Sequence, residues 1–282
     1  MPDLRTGPER AAHKRPAPRT TVSLAEMFGP VLQGEGVTAG VPSVFIRFSA
    51  CNLLCGGHNG GMVGKRGPDG EIVNWWCDTE VVWKSGLRWT HEEVKNFLNE
   101  IGEYDRVMLG TTHIIFTGGE PTMPNNTYDF MALMDYLISD YGELSNPTVE
   151  VETNGSVSGP HLTQLLSKPY LKQINCSVKL ANSGMPYSMR VRPEALDQIA
   201  AHPNHWWKFV VSAPEDLEYA LKDYAHVLSR LEERARIVVM PAGSTTEELN
   251  QTSQMAWDLA TKYNVRYSDR LQVRVWEMAT GK

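Results

Sequence analysis

The sequence predicts an α/β fold whose mostly parallel sheet forms an incomplete barrel of the (βα)6 type. The first observation is that short apolar runs alternate with longer amphipathic runs from residue 43 onward, as strands and helices do in βα units. The second is that glycine-containing and polar motifs follow several of the apolar runs directly. Ligands of parallel sheets lie at the carboxyl ends of the strands, so these motifs are in the right place for a site.

Each element follows from its local pattern. The apolar runs predict strands at 43–48, 114–117, 148–152, 171–177, 206–211, 236–240 and 271–276. Apolar residues three and four positions apart predict helices at 90–101, 128–138, 161–166, 193–201, 214–231 and 246–263. The first helix has the strongest start signal, because Thr90 and Glu93 have the spacing of a capping box.

The chain of 282 residues is expected to form one domain, 20–282, behind a basic tail at 1–19. The tail is rich in arginine and proline and has no apolar segment of a secretory signal, so it is expected to be disordered. The net charge of −6 gives no reason to expect direct nucleic-acid binding. No apolar run approaches the roughly 18 residues of a membrane span. A glycine-rich stretch at 56–74 is predicted to be a flexible insertion.

The chain has four cysteines, and three of them are grouped: Cys51, Cys55 and Cys77, apart from Cys176. This usage indicates metal ligation in a reducing compartment, which points to the cytoplasm rather than to a disulfide framework. Three thiolates could hold a [4Fe–4S] cluster and leave one iron open. The same cysteines with His58 would equally make a Cys₃His zinc site. The cysteines alone leave both possibilities open.

Further candidates stand at predicted strand ends. The segment 117–121 reads Thr-Gly-Gly-Glu-Pro, whose glycines permit close approach of a ligand and whose Glu120 could hold an ammonium group. Glu152 and Asn154 could hydrogen-bond ribose hydroxyls, although Asn-Gly is also an ordinary turn signal. Lys208 also stands near a strand end, where a lysine is more often a solvated surface residue.

Arg47 interrupts the apolar strand 43–48 and therefore needs an anionic partner. Its planar guanidinium suits a carboxylate. That carboxylate would belong either to a substrate or to the protein, in which case Glu35 is the obvious candidate.

Together these segments resemble one known family, the 7-carboxy-7-deazaguanine synthases, which are radical S-adenosylmethionine (SAM) enzymes of queuosine and 7-deazapurine biosynthesis. The resemblance covers about residues 21–276. It is carried, in chain order, by Gln33-Gly34-Glu35-Gly36, Phe45-Ile46-Arg47, Cys51-Asn52-Leu53, Trp76-Cys77-Asp78-Thr79, Thr117-Gly118-Gly119-Glu120-Pro121, Glu152-Thr153-Asn154-Gly155, Lys208-Phe209-Val210-Val211 and Met240-Pro241-Ala242-Gly243.

The resemblance implies a role for each matching residue. The [4Fe–4S] cluster would be held by Cys51, Cys55 and Cys77, and Mg²⁺ by the hydroxyl of Thr79. SAM would lie along Trp76, Cys77, Asp78, Gly118, Gly119, Glu120, Glu152, Asn154, Ser177 and Lys179. The substrate would contact Leu32, Gln33, Gly34, Glu35, Arg47 and Thr117. Of these, Arg47 and Glu120 are the residues we expect to serve catalysis.

The implied reaction is a magnesium-dependent radical ring contraction of 6-carboxy-5,6,7,8-tetrahydropterin to 7-carboxy-7-deazaguanine with loss of ammonia, which makes the enzyme a lyase. The resemblance also implies a homodimer and an electron donor such as a flavodoxin or ferredoxin. Two alternatives remain: a radical SAM activase that generates a glycyl radical on a partner protein, and a non-enzymatic zinc module.

The chain departs from the family pattern at several positions. Residues 56–76 separate the second and third cysteines, where the family often has a short spacing. Val178 stands where proline is usual, and Gln272 where histidine is common. For this reason no site residue is assigned near the C-terminus, and Cys176 is interpreted as a buried thiol.

Overall fold

The computed structural model describes residues 19–277, so the predicted disorder of the tail lies outside the described residues except at Arg19. The strands are β1 (Thr21–Leu32), β2 (Pro42–Phe48), β3 (Leu87–Thr90), β4 (His113–Gly118), β5 (Val149–Thr153), β6 (Leu171–Cys176), β7 (His205–Val211), β8 (Ile237–Pro241) and β9 (Arg266–Tyr267).

These strands form one nine-stranded sheet in the order β3-β1-β2-β4-β5-β6-β7-β8-β9. From β2 to β9 every neighbouring pair is parallel, whereas β1 pairs antiparallel with both β2 and β3. Within the described residues β3 and β9 remain the two edges, so the sheet is an open one. The predicted α/β class with an incomplete, mostly parallel barrel is confirmed.

The helices of the described residues connect and follow these strands. They are α1 (Glu80–Trp83), α2 (His91–Glu100), α3 (Tyr104–Met108), α4 (Pro124–Tyr141), α5 (Pro160–Leu166), α6 (Tyr187–Arg190), α7 (Pro193–Ala200), α8 (Asp216–Asp223), α9 (Ala225–Leu228), α10 (Leu231–Arg234), α11 (Thr246–Tyr263) and α12 (Leu271–Trp276). Among the described helices we find none with the length and apolarity required to cross a membrane.

The apolar core lies between the sheet and the helices. The ring of Phe116 on β4 stacks on Phe130 of α4 with 3.8 Å between ring centroids, and Phe48 of β2 packs beside both. The opposite face of the strands carries many polar side chains, among them Arg47 and Thr117, which are cross-strand neighbours. A parallel sheet with one apolar and one polar face places its chemistry on the concave side.

Two element predictions are wrong. The predicted helix 214–231 is instead the three short helices α8, α9 and α10, because the chain turns at Tyr224, whose buried hydroxyl donates to the carbonyl of Lys179 at 2.6 Å. The predicted strand 271–276 is the helix α12, which begins where the backbone amide of Leu271 donates to the carbonyl of Gly34 at 2.9 Å. Among the described strands none pairs with this segment.

Three strands escaped sequence analysis. The longest is β1, whose alternation of buried Val22 and Leu24 gives way to half-buried residues towards Leu32. Both short strands, β3 and β9, hold too few residues to show a period.

The insertion 56–74, which the sequence predicts to be flexible, packs against the sheet domain. Val73 is fully buried, and Arg66 and Ile72 form a bridge between two antiparallel stretches. The amide of Gly56 donates to the carbonyl of Ser183 at 2.8 Å. The buried side chain of Val73 and these backbone hydrogen bonds order the insertion despite its high glycine content.

An ion pair extends this docking. The guanidinium of Arg190 donates to Asp69 of the insertion at 3.1 Å and to Asp223 at 2.7 Å, and it is 2% exposed. The same guanidinium donates to the carbonyl of Lys179 at 3.3 Å. The insertion is therefore tied to the segment that follows β6.

Candidate active site

The predicted site residues converge at the carboxyl ends of the parallel strands. Arg47, Thr117 and Glu152 lie on the same face of the neighbouring strands β2, β4 and β5. Ser177 follows β6, and Lys208 lies on β7. Parallel pairing brings these strand ends to one edge of the sheet, which is where the sequence motifs place them.

The three grouped cysteines lie together in a small cluster beside this edge. Cys55 packs with Leu53 and Met185, and Cys51 and Cys77 pack against the same cluster. The amide of Cys77 donates to the carbonyl of Cys55 at 3.1 Å, so the insertion returns the chain to the second cysteine. Cys176 is fully buried in the main core instead. The structure thus separates the fourth cysteine from the other three, as the sequence analysis expected.

The chemistry of this donor set suits a soft metal centre. Burial, with a smaller contribution from the neighbouring Glu120 charge, raises the pKa of the Cys51 thiol to about 12. Burial also raises the pKa of Cys55, to about 11, although the charge of Lys179 opposes the shift. A bound metal deprotonates such thiols outright, so buried thiols with raised pKa values fit ligands that are stable only when metal is present.

The zinc alternative requires His58 as a fourth ligand, but in the structure His58 contacts Glu80 and Lys84. Its Nδ1 lies 3.0 Å from the buried carboxylate of Glu80 and 2.8 Å from the ammonium of Lys84. Its side chain is 69% exposed. Within residues 19–277 no three histidine, cysteine or carboxylate side chains lie close enough to bind one ion together. The thiolate ligands of a [4Fe–4S] cluster need not converge on one ion, because each binds a different iron.

Glu120 is buried in the turn after β4 and accepts four hydrogen bonds from the protein. Its Oε1 accepts from the amide and hydroxyl of Thr122 and from the hydroxyl of Thr153, and its Oε2 accepts from the amide of Asn154 at 2.7 Å. The carboxylate thereby joins the ends of β4 and β5. Its predicted role toward an ammonium group stays a prediction.

Asn154 connects this turn to the segment between β2 and α1 (49–79), which carries the three cysteines and is called the cysteine loop. Its amide nitrogen donates to Asn52 Oδ1 at 2.9 Å and lies 3.8 Å from the sulfur of Cys51. Gly119 is equally constrained, since a Cβ atom there would lie 1.7 Å from the carbonyl oxygen of Ala50. Gly118 adopts φ +106°, and a Cβ there would meet Arg47. Both glycines are therefore required for the close contact between β4 and the start of the cysteine loop.

Glu152 joins two of the predicted substrate residues. Its Oε1 accepts from the side-chain amide of Gln33 at 3.1 Å, and its Oε2 accepts from the hydroxyl of Thr117 at 2.7 Å. The sequence analysis assigned Glu152 to SAM and the other two residues to substrate. In the structure the three side chains form one group.

Glu35 is the centre of a charged cluster. Its carboxylate accepts from Lys208 at 2.6 Å, from Arg270 at 3.0 Å and from the amide of Gln272 at 2.6 Å. Burial alone would raise the pKa of Glu35, but the charges and hydrogen bonds of Lys208 and Arg270 outweigh it and hold that pKa far below its usual range. Burial likewise works against the charged form of Lys208, but Glu35 and Glu152 raise its pKa.

The protein partner suggested for Arg47 is corrected by this arrangement. Glu35 does not meet Arg47, because it is bound to the β7 and C-terminal cations. Instead Nε of Arg47 donates to Oε1 of Glu26, its antiparallel neighbour on β1, at 2.7 Å. Among the described residues no acceptor is found for the two terminal nitrogens of the Arg47 guanidinium. Four of the five N–H donors of this guanidinium therefore have no acceptor among the described residues.

The remaining predicted residues lie around the cysteine loop and the strand ends. Trp76 is 41% exposed and lies across Gly56 and Gly60. Asp78 pairs with Arg270 at 3.1 Å, and the hydroxyl of Thr79 lies 3.5 Å from the sulfur of Cys77.

Lys179, Leu32 and Gly34 complete the set of predicted site residues. Lys179 donates to Ser177 at 3.0 Å and lies 5.8 Å from the ring centre of Trp75. Leu32 is 60% exposed at the end of β1, and Gly34 lies directly against Gln272.

Sequence reasoning missed Arg270 and Gln272 and undervalued Lys208. The signal for Lys208 was its position in an apolar strand, which is the signal that identified Arg47. Gln272 was noted only as a departure from the family pattern, and Arg270, directly before the predicted strand 271–276, had no comparable signal.

Comparison with known proteins confirms the resemblance to the 7-carboxy-7-deazaguanine synthases along most of the chain. The protein of that name from Halobacterium salinarum is 29% identical over 261 residues, which cover 88% of this chain and 88% of the relative. The one from Pyrobaculum aerophilum is 27% identical over 264 residues, covering 93% of this chain and 97% of the relative. No family model matches the chain.

A solved structure shows the same fold. The crystal structure of QueE from Escherichia coli superposes with a TM-score of 0.59 and 21% sequence identity, covering 89% of this chain and 94% of that one. At this identity the likeness concerns the fold alone.

Proposed function

We propose that this chain, which resembles the 7-carboxy-7-deazaguanine synthases, is itself a radical SAM enzyme that contracts the ring of 6-carboxy-5,6,7,8-tetrahydropterin to 7-carboxy-7-deazaguanine with loss of ammonia. One observation carries the proposal: the three cysteines and the Arg47 guanidinium with its two free nitrogens lie at the same edge of one sheet. A glycyl-radical activase or a zinc module has no need for such an arginine.

The residues present fit the cofactors that the reaction needs. Cys51, Cys55 and Cys77 would hold the [4Fe–4S] cluster, and the hydroxyl of Thr79, beside Cys77, would be an oxygen ligand for Mg²⁺. When bound, the cluster supplies an electron to the sulfonium of SAM, and the magnesium ion polarises substrate oxygens. Trp76, Ser177 and Lys179 are proposed to contact SAM.

The protein side chains would bind and orient the substrate. Arg47 is already fixed by Glu26, so its terminal nitrogens are oriented to bind the substrate carboxylate in a bidentate manner. Gln33, Thr117 and Glu152 form one hydrogen-bonded group on the same sheet face as Arg47 and would contact the substrate beside it. Glu35 is ionised and can only accept hydrogen bonds, which suits the N–H groups of a pterin.

The test is an anaerobic assay with the carboxy-tetrahydropterin, SAM, magnesium and a reductant. We expect the deazaguanine product from the wild-type protein and none from the variant Cys77→Ala. The matched control is Cys176→Ala, which removes the buried thiol and should retain iron content and turnover. Iron is counted in each variant after reconstitution. A normal cluster in Cys77→Ala, or no product from cluster-loaded wild-type protein, would contradict the proposal.

A second measurement isolates the substrate contact. Arg47→Met should fold, load its cluster and cleave SAM slowly without substrate. It should lose substrate affinity by about 2–5 kcal/mol, the usual cost of truncating one partner of a buried charge pair. A fall in stability with an unchanged Michaelis constant would show that Arg47 serves only the pair with Glu26.

A further inference from the structure

Arg270 lies where three separate segments of the chain meet. Its Nε donates to Glu35 in the loop between β1 and β2 at 3.0 Å. Its Nη2 donates to Asp78 of the cysteine loop at 3.1 Å, and its Nη1 donates to the carbonyl of Gly243 after β8 at 2.5 Å. All three nitrogens of the guanidinium are therefore engaged, each by a different segment.

The two carboxylates that Arg270 joins belong to different parts of the proposed site. Glu35 is proposed to face the pterin, whereas Asp78 stands between the cluster ligand Cys77 and Thr79 on the SAM side. Sequence separates these segments, and Arg270 is the group that bonds to both.

The energetics of the two contacts differ. The Asp78 side chain is 56% exposed, and an ion pair of that kind contributes little to stability. The Glu35 pair is largely buried, with side chains 14% and 16% exposed. A contact that stabilises little but fixes the distance between two binding groups matters for geometry more than for folding.

We infer that Arg270 is a positioning residue, which sets Glu35 and Asp78 relative to one another and so couples the substrate side to the SAM side. The inference rests on the proposed function. Its physical basis is the rigid planar fork of arginine, whose donors diverge in fixed directions. A lysine carries the same charge on one ammonium group at the end of a flexible chain. It cannot hold the two carboxylates and the Gly243 carbonyl at once.

Arg274 on α12 provides a matched control. It too makes three side-chain contacts, with Asp269 at 3.0 Å, Asn250 at 2.6 Å and Ser253 at 2.6 Å. None of these partners is a proposed site residue. If Arg270 serves only to anchor the C-terminal helix, the two arginines should behave alike.

The experiment compares Arg270→Lys with Arg274→Lys in anaerobically reconstituted protein. Thermal unfolding should show similar, modest losses. In Arg270→Lys we expect at least a tenfold higher Michaelis constant for the pterin and at least a threefold weaker affinity for SAM by calorimetry. Arg274→Lys should change each of them less than twofold. Equal effects of the two substitutions would overturn the inference.

A third variant, Asp78→Asn, keeps the inference testable if Arg270→Lys folds poorly. Asp78→Asn should raise the Michaelis constant for the pterin severalfold through Arg270, although Asp78 is not proposed to contact it. An unchanged constant would contradict the coupling. SAM affinity needs no pterin, so wild-type protein that binds SAM but makes no product defeats the proposed function alone. The inference about Arg270 is then decided by the SAM affinities of the two lysine variants.

Discussion

Two glutamates on the same face of β5, two residues apart, have very different surroundings. Glu150 is fully buried and accepts four hydrogen bonds, from His113, Thr38, Gln173 and Asn175, at 2.6–3.0 Å. Glu152 is only partly buried and has one side-chain donor on each oxygen, Gln33 and Thr117.

The difference shows how one strand divides structure from function. Around Glu150, Oε2 accepts three hydrogen bonds and Oε1 accepts one, and the carboxylate is fully buried, so this layer of the sheet is closed to ligands. Around Glu152, one step nearer the carboxyl end, the donors belong to proposed substrate residues and further acceptor positions remain. A strand that changes from a saturated layer to an open one marks the floor of the site.

The largest effect should come from Glu150→Gln. The amide keeps the shape but directs two N–H groups at a site already filled with donors, so a buried network is broken. We expect a loss of about 2–4 kcal/mol in the free energy of unfolding, measured by urea denaturation. The Michaelis constant of the surviving folded protein should change little. A loss below that of ordinary surface substitutions would mean that water enters this layer and that it is not closed.

Glu152→Gln is the matched substitution on the open side. Glu152 is only partly buried and accepts two hydrogen bonds where Glu150 accepts four. The free energy of unfolding should therefore fall by only about 1 kcal/mol. Because the charge beside Lys208 and the orientation of Gln33 and Thr117 are altered, the pterin Michaelis constant should rise by about tenfold, or about 1.4 kcal/mol. If the two glutamine variants show the same balance of stability and affinity, the distinction between the layers fails.

The smallest expected effect is on the free energy of unfolding at acidic pH. Because the pKa of Glu35 is held below its ordinary value of 4.5, its ionisation stabilises the fold above that pH, and the contribution is lost as pH falls through the lowered folded value. The difference in unfolding free energy between wild type and Glu35→Gln should therefore be constant from about pH 5.5 to 7.5 and shrink below about pH 4.5. A difference that grows on acidification would have the wrong sign for this cluster.

Much of the fold follows from local sequence. The helix α11 has the predicted bounds, Thr246–Tyr263, and the capping box at Thr90 and Glu93 starts α2. The strands β2 to β8, apart from the short β3, were predicted to within one or two residues. These elements depend on periodicity and capping, which neighbouring residues decide.

Tertiary contact decided what periodicity cannot express. The segment 271–276 alternates apolar and polar residues as a strand does, and it becomes α12 because its start is bonded to Gly34 and Arg270 directly before it is bonded to Glu35. The insertion 56–74 looked flexible by composition, and the burial of Val73 and the pair of Asp69 with Arg190 give it structure.

For the site, the sequence by itself determined the residue types at the strand ends, the grouping of Cys51, Cys55 and Cys77, and the need of Arg47 for an anion. Only the tertiary structure decided which partners meet: Glu26 with Arg47, and Glu35 with Lys208 and Arg270. The physical reason is that strand periodicity says which face a charge occupies, whereas ion pairs join residues far apart in the chain, whose meeting depends on register and on the packing of the whole sheet.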